Sequence, residues 1–150
     1  MTQTTFHQTI HNAIRAKVHG IAFGSHTDVF GDTAAPTKIY DNDPTNIPDD
    51  DPWVFVQVRP TDATQTAIGS PGNRLFRHTG ILVLTVHTKL GAGTSDATFW
   101  CDRIASTFRG ITDSGVTYKT PVVTILGADD GGQWFKMSVR VPWYADDNET

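Results

Sequence analysis

The sequence has 150 residues, of which 38% are hydrophobic and 10% aromatic, so we expect residues 1–150 to form a single domain with its own core. A formal net charge of -4 disfavours a general nucleic-acid-binding surface, because phosphate contacts require clustered Lys and Arg. One cysteine excludes an intrachain disulfide, and with no secretory leader or long apolar run the sequence predicts a soluble protein from a reducing compartment.

The first predicted element is an amphipathic helix from Phe6 to Val18. We expect Thr4 or Thr5 to cap its N-terminus and Gly20 to end it. Its apolar residues recur at helical spacing and form one stripe, which consists of Phe6, Ile10, Ala13, Ile14 and Val18.

Residues 20–52 are rich in turn-forming residues and predict mostly loop, with one short strand from Thr37 to Tyr40. Within them, the acidic segment from Asp41 to Asp51 invites comparison with a calcium-binding loop. The comparison fails where calcium geometry is strict, because Asn46 stands at the glycine position and Pro52 at the bidentate glutamate position. A solvated acidic loop explains this charge run better.

Two strands are predicted in the middle of the chain. The first runs from Trp53 to Arg59, is rich in aromatic and β-branched residues, and is expected to end at Pro60. The polar residues 61–73 predict a long loop. A longer strand follows from Arg74 to Leu90, and one of its faces carries Leu82, Leu84 and Val86.

A second helix is predicted from Ser95 to Arg109, with Gly110 at the position of a C-terminal cap. The stripe that we expect it to bury consists of Ala97, Cys101, Ile104, Ala105 and Phe108. Because Cys101 lies on this stripe, we interpret its thiol as a small core group and not as a nucleophile.

The last part of the chain predicts a strand from Val116 to Leu126, a turn over residues 127–132 and a final strand from Gln133 to Tyr144. Apolar and polar residues alternate in the final strand, which places one face on a core. Pro142 would remove a ladder hydrogen bond, so we expect this strand to end at a sheet edge. The order of elements predicts an α+β fold, a mixed, mainly antiparallel β-sheet with two α-helices packed on it.

None of the candidates for catalysis matches a known motif. His7 and His11 lie four residues apart on the first helix but lack further metal ligands, which favours an exposed helix face. The glycine-rich residues 127–132 lie between strands and lack a Gly-Lys-Ser/Thr ending, which indicates a hairpin turn and not a phosphate-binding loop. We therefore predict no enzymatic activity, no cofactor and no bound metal.

Large aromatic residues near strand ends are one kind of candidate for a subunit interface. Trp134 and Trp143 stand out among them. Core packing and interface contact both explain such residues, because Trp buries a large apolar area in protein cores and is also enriched at interfaces.

Charged residues are the other kind of candidate. Arg59, Arg74 and Arg77 flank the predicted loop over residues 61–73, either as ordinary surface charge or as a basic rim. Complementary patches on two different surfaces of one subunit are what a head-to-tail ring requires. The acidic counterpart on a neighbouring copy would be Asp49, Asp50 and Asp51.

A pattern of glycines, aromatic residues and strand spacing extends over several segments, namely residues 77–87, 91–94, 97, 102–105, 130–134 and 139–143. Together with the short first helix and the strand that begins at Trp53, this pattern resembles the phage tail-terminator-like proteins. The resemblance covers the chain from about Phe6 to Ala145 and is most specific in the last third. Residues 20–52 match no part of the pattern.

The resemblance implies a structural virion protein that caps the head-proximal end of the tail tube, ends tube polymerisation and forms the tail side of the head–tail junction. It implies a ring of six copies, with the free subunit able to remain monomeric until a tube end templates the ring. The implied partners are the tail-tube protein and a head-side connector, with DNA only as passing cargo and no membrane. The implied location is the virion tail, assembled in the host cytoplasm.

Two alternatives remain open at the level of the sequence. A neck or head-completion connector would bind the head vertex instead of the tube. A small metal-dependent hydrolase would use the acidic segment from Asp41 to Asp51, since any two carboxylates of the chain can meet in space.

Overall fold

The computed structural model describes residues 5–28, 31–41, 47–48, 51–67, 75–91 and 94–148. Helix α1 spans Phe6–His19 and helix α2 spans Ser95–Phe108, so both predicted helices are confirmed to within one residue at each end. The hydroxyl of Thr5 accepts a hydrogen bond from the backbone N–H of Gln8 at 3.3 Å and caps α1. Gly110, just beyond α2, has a φ of 64°, in the left-handed region that favours glycine.

The described residues contain nine strands: β1 His26–Asp28, β2 Gly31–Thr33, β3 Thr37–Tyr40, β4 Trp53–Ala67, β5 Leu75–Lys89, β6 Thr112–Asp113, β7 Val116–Tyr118, β8 Val122–Ala128 and β9 Trp134–Asn148. β1 and β2 form a separate antiparallel hairpin. The other seven form one sheet in the order β3-β4-β5-β9-β7-β6, with β8 also paired to β9. Only β3 and β4 are parallel among these pairs, which confirms the predicted mixed, mainly antiparallel sheet of an α+β fold.

One face of the sheet and both helices enclose the main core. The register places Val54, Val86 and Met137 side by side on this face, and alternate residues continue the row along each strand. Ile14 of α1 and Trp100 of α2 are fully buried in the same cluster. All five residues of the stripe predicted for α2 are buried, which confirms it. In the stripe of α1, Ile10, Ile14 and Val18 are buried, and Phe6 and Ala13 are partly buried against the same core.

The prediction that Pro60 ends a strand is wrong, as is the prediction of a loop over all of residues 61–73. β4 continues through Pro60 to Ala67 and pairs with β5 along that length, with irregular register after Pro60 and after Gln65. β3 pairs only with the first four residues of β4, so at Pro60 the other side of the strand has no partner among the described residues. Proline is tolerated there because its nitrogen, which carries no hydrogen, does not have to donate a hydrogen bond to a neighbouring strand.

The prediction of one continuous strand from Val116 to Leu126 is also wrong. β7 and β8 are separate strands that lie in tandem along β9, and Pro121 stands in the break between them. β9 is central, with β5 on its other side, so Pro142 does not mark a sheet edge. The carbonyl of Pro142 accepts from the N–H of Lys119 at 2.8 Å, which shows that the missing N–H of Pro142 faces the same break.

The short strand from Thr37 to Tyr40 is confirmed within the predicted loop, whereas the β1–β2 hairpin was not predicted. The hairpin packs beside α2, which leaves its residues outside the main sheet. Among the described residues, no helix combines the length and the apolar composition of a membrane span.

Candidate functional site

The acidic side of the molecule lies at the beginning of β4 and of α2. Asp51 is exposed two residues before β4, whereas Asp49 and Asp50 lie outside the described residues. Asp51, Asp32 and Asp96 all line one surface cavity of about 220 Å³. In the described part of the chain, no three His, Cys, Asp or Glu side chains are placed to hold a metal ion. Lys89 lines the same cavity and Asp96 is buried, so the exposed acidic groups of this surface are Asp32 and Asp51, which suit cationic side chains of a partner.

A buried polar network fixes this acidic side. Asp96 is 4% exposed, accepts a hydrogen bond from Oγ1 of Thr33 at 2.6 Å and pairs with Nδ1 of His26 at 2.5 Å. The His26 ring stacks on Phe99 with ring centroids 4.5 Å apart. These contacts hold the β1–β2 hairpin against the first turn of α2, where the helix dipole also favours a carboxylate. The network leaves no local signal in the sequence, because Asp96 is 63 residues from Thr33 and 70 from His26.

The three candidate arginines differ in their surroundings. Arg77 forms two hydrogen bonds with the carboxylate of Asp146, at 2.8 and 3.1 Å, and this pairing lowers the pKa of Asp146. Arg59 is exposed and donates to the neutral side-chain oxygen of Gln57 at 3.2 Å. Arg74 lies outside the described residues. Of the two candidate arginines that the structure describes, Arg77 pairs with a carboxylate, and Arg59 has no ion pair with a described carboxylate.

The two candidate tryptophans are buried within the single chain. Trp134 is 5% exposed and Trp143 is 3% exposed. Trp143 lies on the face that the helices cover, directly opposite Gly80 of β5. Trp134 lies on the other face, where its ring meets Trp53 edge-on at 6.2 Å between centroids. Both indole rings are packed inside the chain, so neighbouring residues, and not the rings, form the molecular surface at these places.

The face opposite the helices carries a second, smaller cluster of buried side chains, which consists of Ile39, Trp53 and Trp134. The ring of His87 stacks flat on Trp53, with centroids 3.6 Å apart and 5° between the planes. Burial lowers the pKa of His87 to about 4, so its imidazole is neutral near pH 7. This outer-face cluster packs the end of β4 from which Asp51 projects.

A second cavity, of about 270 Å³, lies between the N-terminal turns of α1 and β4. Phe6, Ile10 and Val58 form much of its apolar wall, and His7 and His11 also line it. Small-molecule sites usually enclose roughly 300–1,000 Å³, so this cavity is small for a ligand site. The two histidines share one helix face, as their spacing predicts, and His7 is exposed on it.

The most prominent apolar surface in the described chain is the edge strand β8. Val122, Val123, Ile125 and Leu126 are 54, 39, 65 and 49% exposed. Because successive side chains point to opposite faces, both faces of β8 carry uncovered apolar groups. The sequence predicts a strand here but not its exposure. The signal for it is a run of apolar residues without polar alternation.

Two further predictions are confirmed. Cys101 is fully buried on the core face of α2, and burial raises its pKa to about 12. The glycine-rich residues form the turn between β8 and β9, where the carboxylate of Asp129 accepts from the backbone N–H groups of Gln133 and Trp134 at 2.9 and 3.1 Å. The turn is shorter than predicted, because Gly127 and Ala128 are still part of β8.

Comparison with known proteins gives a family match and a fold match. A family model described as phage tail terminator protein matches residues 9–143. Eleven chains of solved structures match, and one of them, whose title states no function, is 11% identical with a TM-score of 0.64. That match covers 93% of this chain and 94% of the other, and at such low identity it shows a shared fold alone. The comparison with curated proteins returned no match.

Proposed function

The chain belongs to the phage tail terminator family and is a structural component of the virion tail, and from this premise we propose that it caps the head-proximal end of the tail tube. In that position it ends tube polymerisation and forms the tail side of the head–tail junction. The observation that carries the proposal is the family match over residues 9–143, which includes both helices almost entirely and the main part of the sheet. The family is one of structural proteins, which agrees with a chain that acts by assembly and not by catalysis.

We propose that six copies form a ring through two unlike surfaces of each subunit. Asp51 precedes β4 by two residues, whereas Arg59 is the seventh residue of that strand. The six-residue advance from Trp53 to Arg59 spans roughly 20 Å, so the two charges lie too far apart to pair within one subunit. Between neighbours of a head-to-tail ring, each Arg59 can meet the acidic side of the next copy.

The partners follow from the position in the tail. One rim of the ring would bind the last ring of tail-tube protein, and the other would bind the head-side connector. DNA would pass through the lumen without being gripped, which agrees with a formal net charge of -4. We place assembly of this ring in the host cytoplasm, before the tail joins the head.

The proposal is tested by assembling the phage's tail-tube protein in the presence and absence of this chain. We expect the chain to limit tube length and to be found at one tube end by electron microscopy. Tubes of unchanged length, with no chain at their ends, would refute the capping function. Binding to purified head vertices but not to tubes would instead assign the chain to the neck.

Charge-reversal variants test the ring surfaces in the same assay. Arg59→Glu and Asp51→Lys should each weaken capping, and the two variants mixed together should restore it, since each supplies the complement of the other. Arg109→Glu is the matched control, because Arg109 is exposed at the end of α2 and away from both surfaces. Loss of capping without rescue in the mixture would contradict pairing of Arg59 with the acidic side.

A further inference from the structure

The exposed edge strand β8 is a surface to which a further strand can bind. Among the described residues, no strand pairs with the outer edge of β8. β9 lies on its inner side, and β7 and β6 lie farther along β9. Residues 122–126 read Val-Val-Thr-Ile-Leu, with no charge and no proline. An edge strand of this composition readily adds a further strand.

The other open edge of the same sheet is protected. Beyond the four residues covered by β3, β4 carries Arg59, Pro60 and Asp62 on an exposed stretch. Charged residues and proline are the usual devices that keep an edge strand from pairing. β8 is interrupted only by the irregular register between Ile125 and Gly127, and its residues 122–125 carry neither charge nor proline, which agrees with cover by another chain.

We infer that β8 is a self-association edge, on which two copies of this chain pair antiparallel about Thr124. In this register Val123 faces Ile125 of the second copy. Val122 meets its Leu126, which lies at the irregularity of β8 between Ile125 and Gly127. Thr124 faces its own equivalent at the two-fold axis. The segment is thus complementary to itself.

Charges at the two ends of β8 agree with the same register. Lys119 lies five residues before Thr124, and Asp129 lies five residues after it. Antiparallel pairing therefore brings Lys119 of each copy to the end of β8 where the other copy carries Asp129. Lys119 is exposed, and the low pKa of Asp129, held by backbone N–H groups of the turn, keeps its carboxylate charged.

The pairing would also extend the core of each subunit. Val123 and Ile125 lie opposite Val139 and Met137 of β9, which are buried on the face that the helices cover. A second copy's strand would continue this apolar row beyond the edge of the sheet. A two-fold contact closes after two copies, so this dimer is a state of the free chain and not the contact of the proposed ring.

The first test is sedimentation of the full chain over a range of concentrations. We expect a reversible dimer, and we expect Ile125→Lys to raise its dissociation constant by about tenfold or more, because a charge would be buried in the contact. Ile125 is 65% exposed, so the variant should fold, and thermal unfolding checks this. Leu90→Lys, which adds the same charge at a 41% exposed position outside β8, should leave the dimer unchanged.

The second test is a disulfide across the two-fold axis. Directly opposed residues of antiparallel strands have Cα atoms about 4.5–5.5 Å apart, within the range that a disulfide spans. Thr124→Cys should therefore form a covalent dimer on mild oxidation, much faster than Ser106→Cys, whose position is exposed on α2. The native Cys101 is buried and should not interfere.

Three results would overturn the inference. They are a full chain that stays monomeric up to its highest soluble concentration, a dimer that Ile125→Lys does not weaken, and a Thr124→Cys variant that cross-links no faster than the Ser106→Cys control. If the chain forms larger rings in solution, faster cross-linking of Thr124→Cys than of Ser106→Cys between rings supports the inference, and equal rates overturn it. None of these results bears on tube capping, whose assay is separate.

Discussion

Replacing Gly80 by alanine tests how the two long strands pack against the centre of the sheet. Gly80 lies in β5 between Pro60 of β4 and Trp143 of β9. A methyl group built on it would lie 2.6 Å from Cε2 of Trp143 and 2.7 Å from the carbonyl oxygen of Arg59. Favourable carbon contacts lie at about 3.5–4.0 Å, so both neighbours must move.

The expected size of the effect combines two opposing contributions. Overpacking of a well-packed site typically costs about 1–3 kcal/mol, and the backbone carbonyl of Arg59 yields less readily than a side chain does. Alanine regains about 0.5–1 kcal/mol through the lower conformational entropy of the unfolded chain. We expect a net loss of about 2 kcal/mol in the free energy of unfolding, which lowers Tm by about 4–8 °C for a chain of this size.

Urea denaturation followed by tryptophan fluorescence measures this loss. Gly131→Ala is the matched control, because the nearest atom to a methyl group there is a carboxylate oxygen of Asp129 at 3.9 Å. In a Trp143→Leu background, the Gly80→Ala substitution should cost about 1 kcal/mol less, since the crowded ring is gone. An unchanged unfolding midpoint for Gly80→Ala, or equal losses in both backgrounds, would refute the reasoning.

Three further predictions concern buried polar groups. Asp96→Ala should lower the free energy of unfolding by about 2 kcal/mol, because His26 and Thr33 lose their shared acceptor, and urea denaturation measures this. The free energy of unfolding of the wild-type chain should fall by up to about 2 kcal/mol as pH falls from 6.5 to about 4, because His87 binds a proton more readily in the unfolded chain than in the folded one. Denaturation across this pH range should show a flatter profile for His87→Gln. Cys101 should react with a thiol reagent at least about a hundredfold faster in denaturing urea than in buffer, since its thiol is buried and protonated.

Each of these predictions has its own control. Asp102→Ala changes an exposed carboxylate on the same helix as Asp96 and should have little effect, so equal losses would contradict the role of the network. A wild-type pH profile that matches that of His87→Gln would show that His87 does not resist protonation. Rapid labelling of Cys101 in buffer would show that α2 opens readily from the core.

The elements that sequence analysis predicted well are those whose signals are local. The apolar stripes of both helices and the alternation in β9 each depend on residues within one element. Thr5 and Gly20 likewise mark the ends of α1 through contacts with adjacent turns. Burial on the helix-covered face then follows, because each element presents one apolar side.

The errors have a common physical cause: whether a proline ends a strand or marks a sheet edge depends on the strand beside it. Pro60 is tolerated since β3 stops short of it, and Pro142 is tolerated since β7 and β8 are interrupted opposite to it. Neither fact is visible in the residues around the prolines. The same holds for Arg77, whose partner Asp146 is brought opposite by the register of β5 and β9, 69 residues away.

The candidate surfaces were predicted only in part for the same reason. Asp51 and Arg59 were identified from charge, and their separation along β4 became evident from the structure. The exposure of β8 depends on how far α2 reaches across the sheet; its apolar run without polar alternation is a local sign of this exposure but does not determine it. Asp96 and His26 belong to segments that meet only in the folded chain.

The central position of β9 also governs how the fold can be acquired during synthesis. β9 pairs with β5 along all 15 of its residues and also holds β7 and β8, yet it comes after every other strand in the chain. A nascent chain that has not yet reached residues 134–148 can form β4 and β5 as a hairpin but has no strand to join them to β7 and β8. The sheet must therefore close late and through contacts distant in sequence, which slows folding and leaves the apolar strands exposed to a chaperone in the meantime.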